Sequence, residues 1–508
     1  MSLLVDAIFE QVERSPNKTA LWCEDRSVSY ETFARHVDKL TAHFHRNGVR
    51  NGDHIGVLLP NSIEFVEVLL AAARIGAAIA PLSTGLPLDA IRRAFEASDV
   101  THLVANDYNL AKIGRDGVPC LTGMRLCVGP SSTGAVTYQE CLENQALGVP
   151  PIESPAGNSA LILTLTSGST GDPKPIVLTQ DNKHDRALSA MKCYEVTEDD
   201  VILAATPLYH SLAMRLVLLP LICGATGILM PRFSPSEWLK TVHDRRVSFT
   251  IAVSSQLNKI AEVLSSPFLP DIDSLRCVVS SSAFLPNHVK SELLAKLRCD
   301  FHECYGTSEI AVATNLNLQD SREKLGSVGR SIDEAEVRIL KEDGTLAACG
   351  ETGQILCKTS LLFAGYYKQP EQTRDAMWND YFLTGDVGYL DEDGFLYFQG
   401  RSKDIIISGG VNIYPSDVEE VIATLESVKT CAAFAFPDKV LGEVVAVAVV
   451  PREGQRFDER QARLLCARRL ADFQQPRRFF VTEKLPGNQM GKLVKHKLRD
   501  LFSEAEEA

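Results

Sequence analysis

Between Leu3 and Leu297 short apolar runs alternate with amphipathic stretches, and this alternation restricts the choice of fold more than any other feature of the chain. The runs Ala20 to Cys23, Ser27 to Tyr30, His54 to Pro60 (HIGVLLP), Val201 to Ala205, Thr226 to Met230, Phe249 to Val253 and Cys277 to Val279 read as strands. Leu3 to Ser15, Glu31 to Asn47, Ser62 to Ile75, Arg215 to Leu221 and Asn287 to Leu297 read as helices. Strands of this kind, separated by helices, build largely parallel, helix-covered sheets, an α/β class. Residues 112 to 155 are rich in Gly, Pro and Ser and read as a peripheral connection. From Gly326 to Gln399 the pattern changes to short strands with turns at Asp343-Gly344 and Asp393-Gly394, which predicts a small antiparallel, barrel-like lobe. A boundary falls at Gly400 to Asp404 (GRSKD), and a mixed segment follows.

At the centre of the chain, an apolar strand, Ala160 to Leu165, runs into TSGSTGDPKP, Thr166 to Pro175. Gly, Ser and Thr crowded behind a strand let the backbone turn tightly and approach a ligand, and clustered N–H groups, hydroxyls and a lysine suit a polyanion such as a triphosphate. Counted from Gly168, Lys174 sits where a P-loop lysine would. However, Pro173 replaces the second glycine of that motif and Pro175 the magnesium-binding hydroxyl residue, so this is not a Walker loop.

Composition excludes several classes. The chain has 508 residues, enough for more than one core, and an ordinary 45% hydrophobic and 23% charged content. Its net charge of −13 argues against a general nucleic-acid or anionic-membrane binder. Within residues 460–499, however, eleven Lys and Arg face two acidic residues, which reads either as a solvated surface or as a small domain that closes over phosphates. Thirteen cysteines are scattered without C-x-x-C pairs or zinc spacing, which predicts free thiols and a reducing compartment. The start, MSLLVDAIFEQVERSP, lacks a signal-peptide pattern, and the longest apolar stretch, Leu216 to Met230, is broken by Pro220, Gly224 and Gly227. A cytoplasmic location is the expectation.

The TSGSTGDPKP stretch resembles the signature loop of the adenylate-forming enzymes, which include acyl-CoA and aryl-CoA ligases. Five more segments match that family in order: PLYHSLAM with Tyr209 and His210, YGTSE from Tyr305 to Glu309, YFLTGDVGYLDEDG with Asp386, GRSKDIIISGGVNIYP with Arg401, Lys403, Gly409 and Gly410, and LPGNQMGKLVKHKL with Lys492. The resemblance implies a large domain over residues 1–400, a hinge at 401–404 around Lys403, and a small mobile α+β domain over 405–508 that carries the catalytic lysine. It implies ATP-dependent, Mg2+-dependent activation of a carboxylic acid to an acyl-adenylate, then transfer to a thiol.

The same resemblance implies the roles. Thr166, Ser167, Gly168, Ser169, Thr170, Gly171, Lys174, Gly306 and Thr307 would surround the phosphates, and Glu309 would hold the magnesium ion. Asp386 and Arg401 would hold the ribose, and Tyr305 would pack on the adenine. Lys492 would stabilise charge at the reacting phosphorus; a mobile ammonium suits this because two anions must approach while charge builds. His210 would orient the incoming carboxylate, which is already ionised at neutral pH and needs no base. The acyl pocket would comprise Tyr209, His210, Ser211, Met214, Arg215, Ser255, Ser281, Ser282, Ala283, Gly306 and Ile310.

The stretch HSLAM lacks the aspartate that would pair with an α-amino group, so an acyl or aryl acid with some polar group is expected rather than an amino acid. Arg215, inside an apolar helix, either snorkels to solvent or an acidic partner or serves as counter-ion to a second carboxylate. The acceptor is coenzyme A, gripped by Gly409, Gly410, Phe473, Arg477 and Arg478, or the phosphopantetheine of a carrier protein acting in trans. Gln475 and Val440 stand where aryl-CoA ligases can carry an arginine and an aromatic for the CoA nucleotide, which weakens the coenzyme A reading and makes the carrier a serious second one. A P-loop kinase and a catalytically inert scaffold are the competing classes. Neither nucleic acid nor a membrane span is expected, and the chain would act as a monomer or homodimer.

Overall fold

The computed structural model describes residues 3–114, 117–144, 155–167, 173–266, 269–283, 285–487 and 493–507. Its α/β core consists of two large sheets. In the nine-stranded sheet, Asp300–Tyr305, Cys277–Ser281, Phe249–Val253, Val201–Ala204, Thr226–Leu229 and Thr19–Cys23 lie side by side in that order, all parallel. In the eight-stranded sheet, Ala160–Ser167, Ala78–Pro81, His54–Leu58, His102–Asn106, Arg125–Val128 and Val136–Thr137 run parallel. Pro173–Thr179 and Gly365–Tyr366 close one edge of this sheet antiparallel. Helices fully buried by apolar side chains, above all Ile63–Ile75 and Ser211–Cys223, pack between the sheets.

The predicted antiparallel lobe is a five-stranded sheet of Ala335–Leu340, Gly353–Thr359, Met377–Trp378, Tyr381–Leu390 and Leu396–Arg401. A 3-10 turn, Ser402–Asp404, follows it. Beyond the turn a separate sheet, built on the hairpin Val428–Asp438 and Gly442–Pro451, has its own apolar core with the helices Pro415–Ala423 and Glu459–Arg469.

Three readings need correcting. The strand before the central loop extends to Ser167 and a second strand starts at Pro173, so Lys174 and Pro175 are strand residues paired opposite Thr166 and Leu165. The helix read as Arg215 to Leu221 begins at Ser211, where His210 is the N-cap residue, and ends at Gly224 in the left-handed conformation. Residues 112–155 are not merely a connection, since Arg125–Val128 and Val136–Thr137 extend the eight-stranded sheet and Tyr138–Glu143 is a helix started by a Thr137/Glu140 capping box. All thirteen thiols are free. Among the described residues, no helix is long and apolar enough to cross a membrane.

Candidate active site

Three of the segments singled out in the sequence follow the carboxyl ends of parallel strands: Thr166 and Ser167 end Ala160–Ser167, Tyr209 and His210 come after Val201–Ala204, and Tyr305 ends Asp300–Tyr305, where α/β sheets offer an open crevice. One helix organises them. Gln180–Tyr194 starts at a reciprocal cap between Thr179 and Asn182, and one face of it buries polar side chains, Gln180, Lys183, His184, Arg186 and Ser189. Lys183 Nζ donates to the Ser211 carbonyl at 3.1 Å, at the head of the helix that follows His210. Arg186, 3% exposed, donates to the carbonyls of Ser308 (2.9 Å), Glu309 (2.7 Å) and Leu361 (3.0 and 2.7 Å). This one guanidinium therefore clamps the YGTSE loop to the loop before Gly365. Burial, and then the nearby Arg215, push its pKa down to about 9, which still leaves it charged at neutral pH.

Asp386 lies in strand Tyr381–Leu390 directly opposite Arg401 in the neighbouring strand. Its carboxylate is 3% exposed, accepts the Tyr305 hydroxyl at 2.7 Å on Oδ2, and pairs with Arg401 Nε at 2.7 Å on Oδ1. The Thr384 hydroxyl accepts the Asp386 N–H at 3.1 Å and fixes the turn. Burial and the adjacent carboxylate raise the Tyr305 phenol well above the usual tyrosine range, so it remains a donor. The Tyr305 ring packs at 5.9 Å from Phe398.

Glu309 Oε1 accepts the Tyr366 hydroxyl at 3.0 Å, and Lys174 Nζ stands 5.6 Å from the centre of the Tyr366 ring. Tyr366 lies beside Ile176 in the antiparallel edge pair, so the sheet brings Glu309 and Lys174 to the mouth of the central loop. Burial, then Glu309, raise the Tyr366 phenol above its ordinary pKa. One Glu309 carboxylate oxygen is thus fixed, and Thr307 Oγ1 is buried without a hydrogen-bond partner. Hard oxygen donors of this kind fit a magnesium ion bridging phosphates. Tyr366→Phe should raise the Mg2+ concentration for half-maximal activity about 3- to 10-fold, the value of one such hydrogen bond, with the thermal midpoint unchanged. Magnesium titration of initial rates checks this, and an unaltered magnesium dependence would remove Tyr366 from the site.

His210 Nε2 is also buried without a partner, and burial lowers the imidazole pKa to about 4, so the ring is neutral at physiological pH. The Tyr209 ring meets it edge-on at 4.2 Å. Met214 and Ile310 are fully buried, and Arg215 is 9% exposed. Ser281 is buried at the end of strand Cys277–Ser281, whereas Ser255 and Ala283 are exposed. Ser282 and Ala311 have left-handed backbones, φ 76° and 62°. Strained non-glycine positions of this kind cluster at functional sites. At Gly306 a Cβ would collide with the Ala311 carbonyl oxygen, so only glycine permits this turn.

Thr166 and Ser167 end their strand at the crevice. Gly168, Ser169, Thr170, Gly171 and Lys492 lie outside the described residues. Lys403 is exposed in the turn after Arg401; Gly409 and Gly410 are exposed with φ 55° and 84°. Phe473, Arg477 and Arg478 are exposed on the separate C-terminal sheet unit.

Sequence reasoning missed Tyr366, Lys183 and Arg186. The only available signal for the last two was their spacing on one face of the helix that follows the central loop, and a run such as QDNKHDR reads more readily as a solvated surface.

A carboxylate poised between a phenol and an arginine, a second carboxylate beside a Gly/Ser/Thr loop, and a neutral buried imidazole define an adenylate-forming enzyme. The AMP-binding enzyme family matches residues 8–367 and the AMP-binding enzyme C-terminal domain residues 417–492, and the chain belongs to this family. It is 32% identical over 478 residues to the long-chain-fatty-acid–CoA ligase FadD13 of Mycobacterium tuberculosis, covering 92% of this chain and 91% of that protein. To the 2-succinylbenzoate–CoA ligase of Bacillus cereus it is 28% identical, covering 99% of this chain and 100% of that one. The o-succinylbenzoate CoA synthetase (MenE) of Bacillus subtilis, solved with the acyl-adenylate OSB-AMP, superposes with a TM-score of 0.86 at 27% identity, covering 97% and 98% of the two chains. The chain is an AMP-forming acid–thiol ligase.

Proposed function

We propose that the protein joins a small acyl or aryl acid to coenzyme A through an enzyme-bound adenylate, with the large domain over residues 1–400 and a small domain over 405–508 turning about Lys403. The observation that carries this reading is the buried Asp386 carboxylate held between Tyr305 and Arg401, a receptor for a diol in a fold of this kind. In the first step a substrate carboxylate oxygen attacks the α-phosphorus of ATP and pyrophosphate leaves. In the second a thiol attacks the acyl carbon, the acyl–phosphate bond breaks, and AMP leaves.

Asp386 accepts the ribose hydroxyls, with Arg401 aligning the carboxylate. Tyr305 borders the adenine and anchors Asp386. Thr166, Ser167, Gly168, Ser169, Thr170, Gly171 and Lys174 surround the phosphates with fixed donors, and Thr307 adds its free hydroxyl. Magnesium, held by Glu309, would neutralise phosphate charge there. The MenE protein has also been solved with ATP and magnesium ion. Neutral His210 donates a hydrogen bond that orients the incoming carboxylate without taking a proton. Lys492 offers its ammonium to the α-phosphate, and the Gly409-Gly410 turn replaces it for the thiol step, since two glycines let a pantetheine arm pass close to the backbone.

Two observations favour a carrier-protein phosphopantetheine as second acceptor. The Gln475 amide donates to Asp472 at 3.1 Å, and Val440 is 89% exposed, so neither position offers a cation or an aromatic face to a CoA nucleotide. Pyrophosphate release across aliphatic, aromatic and dicarboxylic acids, with and without coenzyme A, tests both readings. Multiple turnover only with coenzyme A, giving acyl-CoA and AMP, is the expected result. One bound adenylate per site, unmoved by coenzyme A, favours the carrier, and release of ADP would overturn adenylation.

A further inference from the structure

Four Lys or Arg side chains are buried among the described residues: Lys183, Arg186, Arg215 and Lys290. Three have partners. Lys290 pairs with Glu303 and donates to the Leu325 carbonyl, Arg186 engages three backbone carbonyls, and Lys183 donates to the Ser211 carbonyl. Arg215, 9% exposed, makes no side-chain hydrogen bond or ion pair among the described residues. Its surroundings raise the cost of that state. It lines a small cavity with Arg186, Cys193, Tyr194, Val312 and Leu361. Arg186 adds like charge from the same wall, and burial together with these two arginines pushes the Lys183 pKa far down. A guanidinium this far withdrawn from solvent and without an anion is unfavourable, and a carboxylate brought against it would relieve that cost.

The position of Arg215 also fits a ligand. It shares a helix face with Ser211, one turn deeper, ~6 Å along the axis. The free Nε2 of His210 marks the head of the same helix, five residues before Arg215, so an acid whose reacting carboxylate lies at His210 needs only a short chain to span the distance to Arg215. The Arg215 charge also favours ionisation of the Cys304 thiol against burial, and Cys304 is the residue before Tyr305. Planar, bidentate pairing makes arginine the preferred partner for a buried carboxylate.

We infer that Arg215 is the counter-ion for a second carboxylate at the far end of the substrate, and that the acid activated is a short dicarboxylic acid. This rests on the ligase reading above and narrows it. The test is pyrophosphate release by wild type, Arg215→Leu and Arg215→Lys with dicarboxylic acids and their chain-matched monocarboxylic counterparts. In wild type, kcat/KM for the best dicarboxylic acid should exceed that of its monocarboxylic match by about 100-fold or more, because a site built around a buried charge rejects the analogue that leaves it unpaired. Arg215→Leu should collapse that ratio to about one or invert it, chiefly through KM for the acid, and Arg215→Lys should retain part of it. A merely structural arginine would leave the ratio unmoved. Equal or better use of monocarboxylic acids by wild type would overturn the inference while leaving the ligase intact, as would an unchanged ratio in Arg215→Leu. No pyrophosphate with any acid would overturn the ligase reading and this one with it. Should Arg215→Leu not fold, the wild-type ratio and Arg215→Lys decide between the same outcomes.

Discussion

Replacing Asp386 with alanine should lower kcat/KM for ATP by about 10³, almost wholly through a higher KM. Two ribose hydroxyls donating to one buried carboxylate form two charge-assisted hydrogen bonds, each contributing about 1.5–3 kcal/mol, so their loss corresponds to ~10²–10⁴ in binding. The interaction exists equally in ground and transition states, which places the effect in KM rather than kcat. The substitution also leaves the Arg401 guanidinium and the Tyr305 hydroxyl without their shared acceptor. Tyr305→Phe separates the two contributions: it removes only the phenol's bond to the carboxylate and should raise KM for ATP by no more than about 10-fold. Initial rates against ATP concentration check both variants. A KM within about threefold of wild type in Asp386→Ala would take the nucleotide away from this carboxylate.

The reason Asp386 could be singled out from the sequence differs from the reason it matters. A Gly-Asp pair between apolar residues ordinarily marks a turn, and only its place in an ordered series of six segments resembling one family drew attention to it. The parallel core was legible on physical grounds, because doubly buried strands such as Phe249–Val253 are short unbroken apolar runs. Pro173–Thr179 was not, since two of its first three residues are proline, which local rules place at edges and strand starts. Its pairing on both sides, with Ala160–Ser167 and with Gly365–Tyr366, depends on partners distant in sequence. Tyr366 was hidden for the same reason: its hydroxyl meets Glu309 57 residues away, and nothing local distinguishes it from Tyr367. Arg215 was visible as an anomaly, a charge within SLAMRLVLLPL, but whether it found a partner depended on packing.

Arg186→Met should destabilise the large domain by about 3–5 kcal/mol and disable the site by a route distinct from ligand contact. Methionine retains most of the apolar volume, so the main loss is four hydrogen bonds to three backbone carbonyls. Each carbonyl left buried and unsatisfied costs about 1–3 kcal/mol. Relief of like charge beside Arg215, together with water entering the adjoining cavity, offsets part of that sum. The thermal midpoint should fall by at least about 5 °C. Function should suffer as well, because the carbonyls of Ser308 and Glu309 lose the anchor that fixes the Glu309 side chain against Tyr366, and the magnesium requirement should rise together with KM for ATP. Arg186→Lys discriminates charge from geometry. An ammonium on a flexible stem cannot reproduce a planar fork that reaches two loops at once, so it should restore little of either property. If Arg186→Lys recovered full stability and magnesium dependence, buried positive charge rather than the clamp would be what the YGTSE loop requires. Loss of stability in Arg186→Met without any change in magnesium dependence would separate the helix Gln180–Tyr194 from the chemistry altogether.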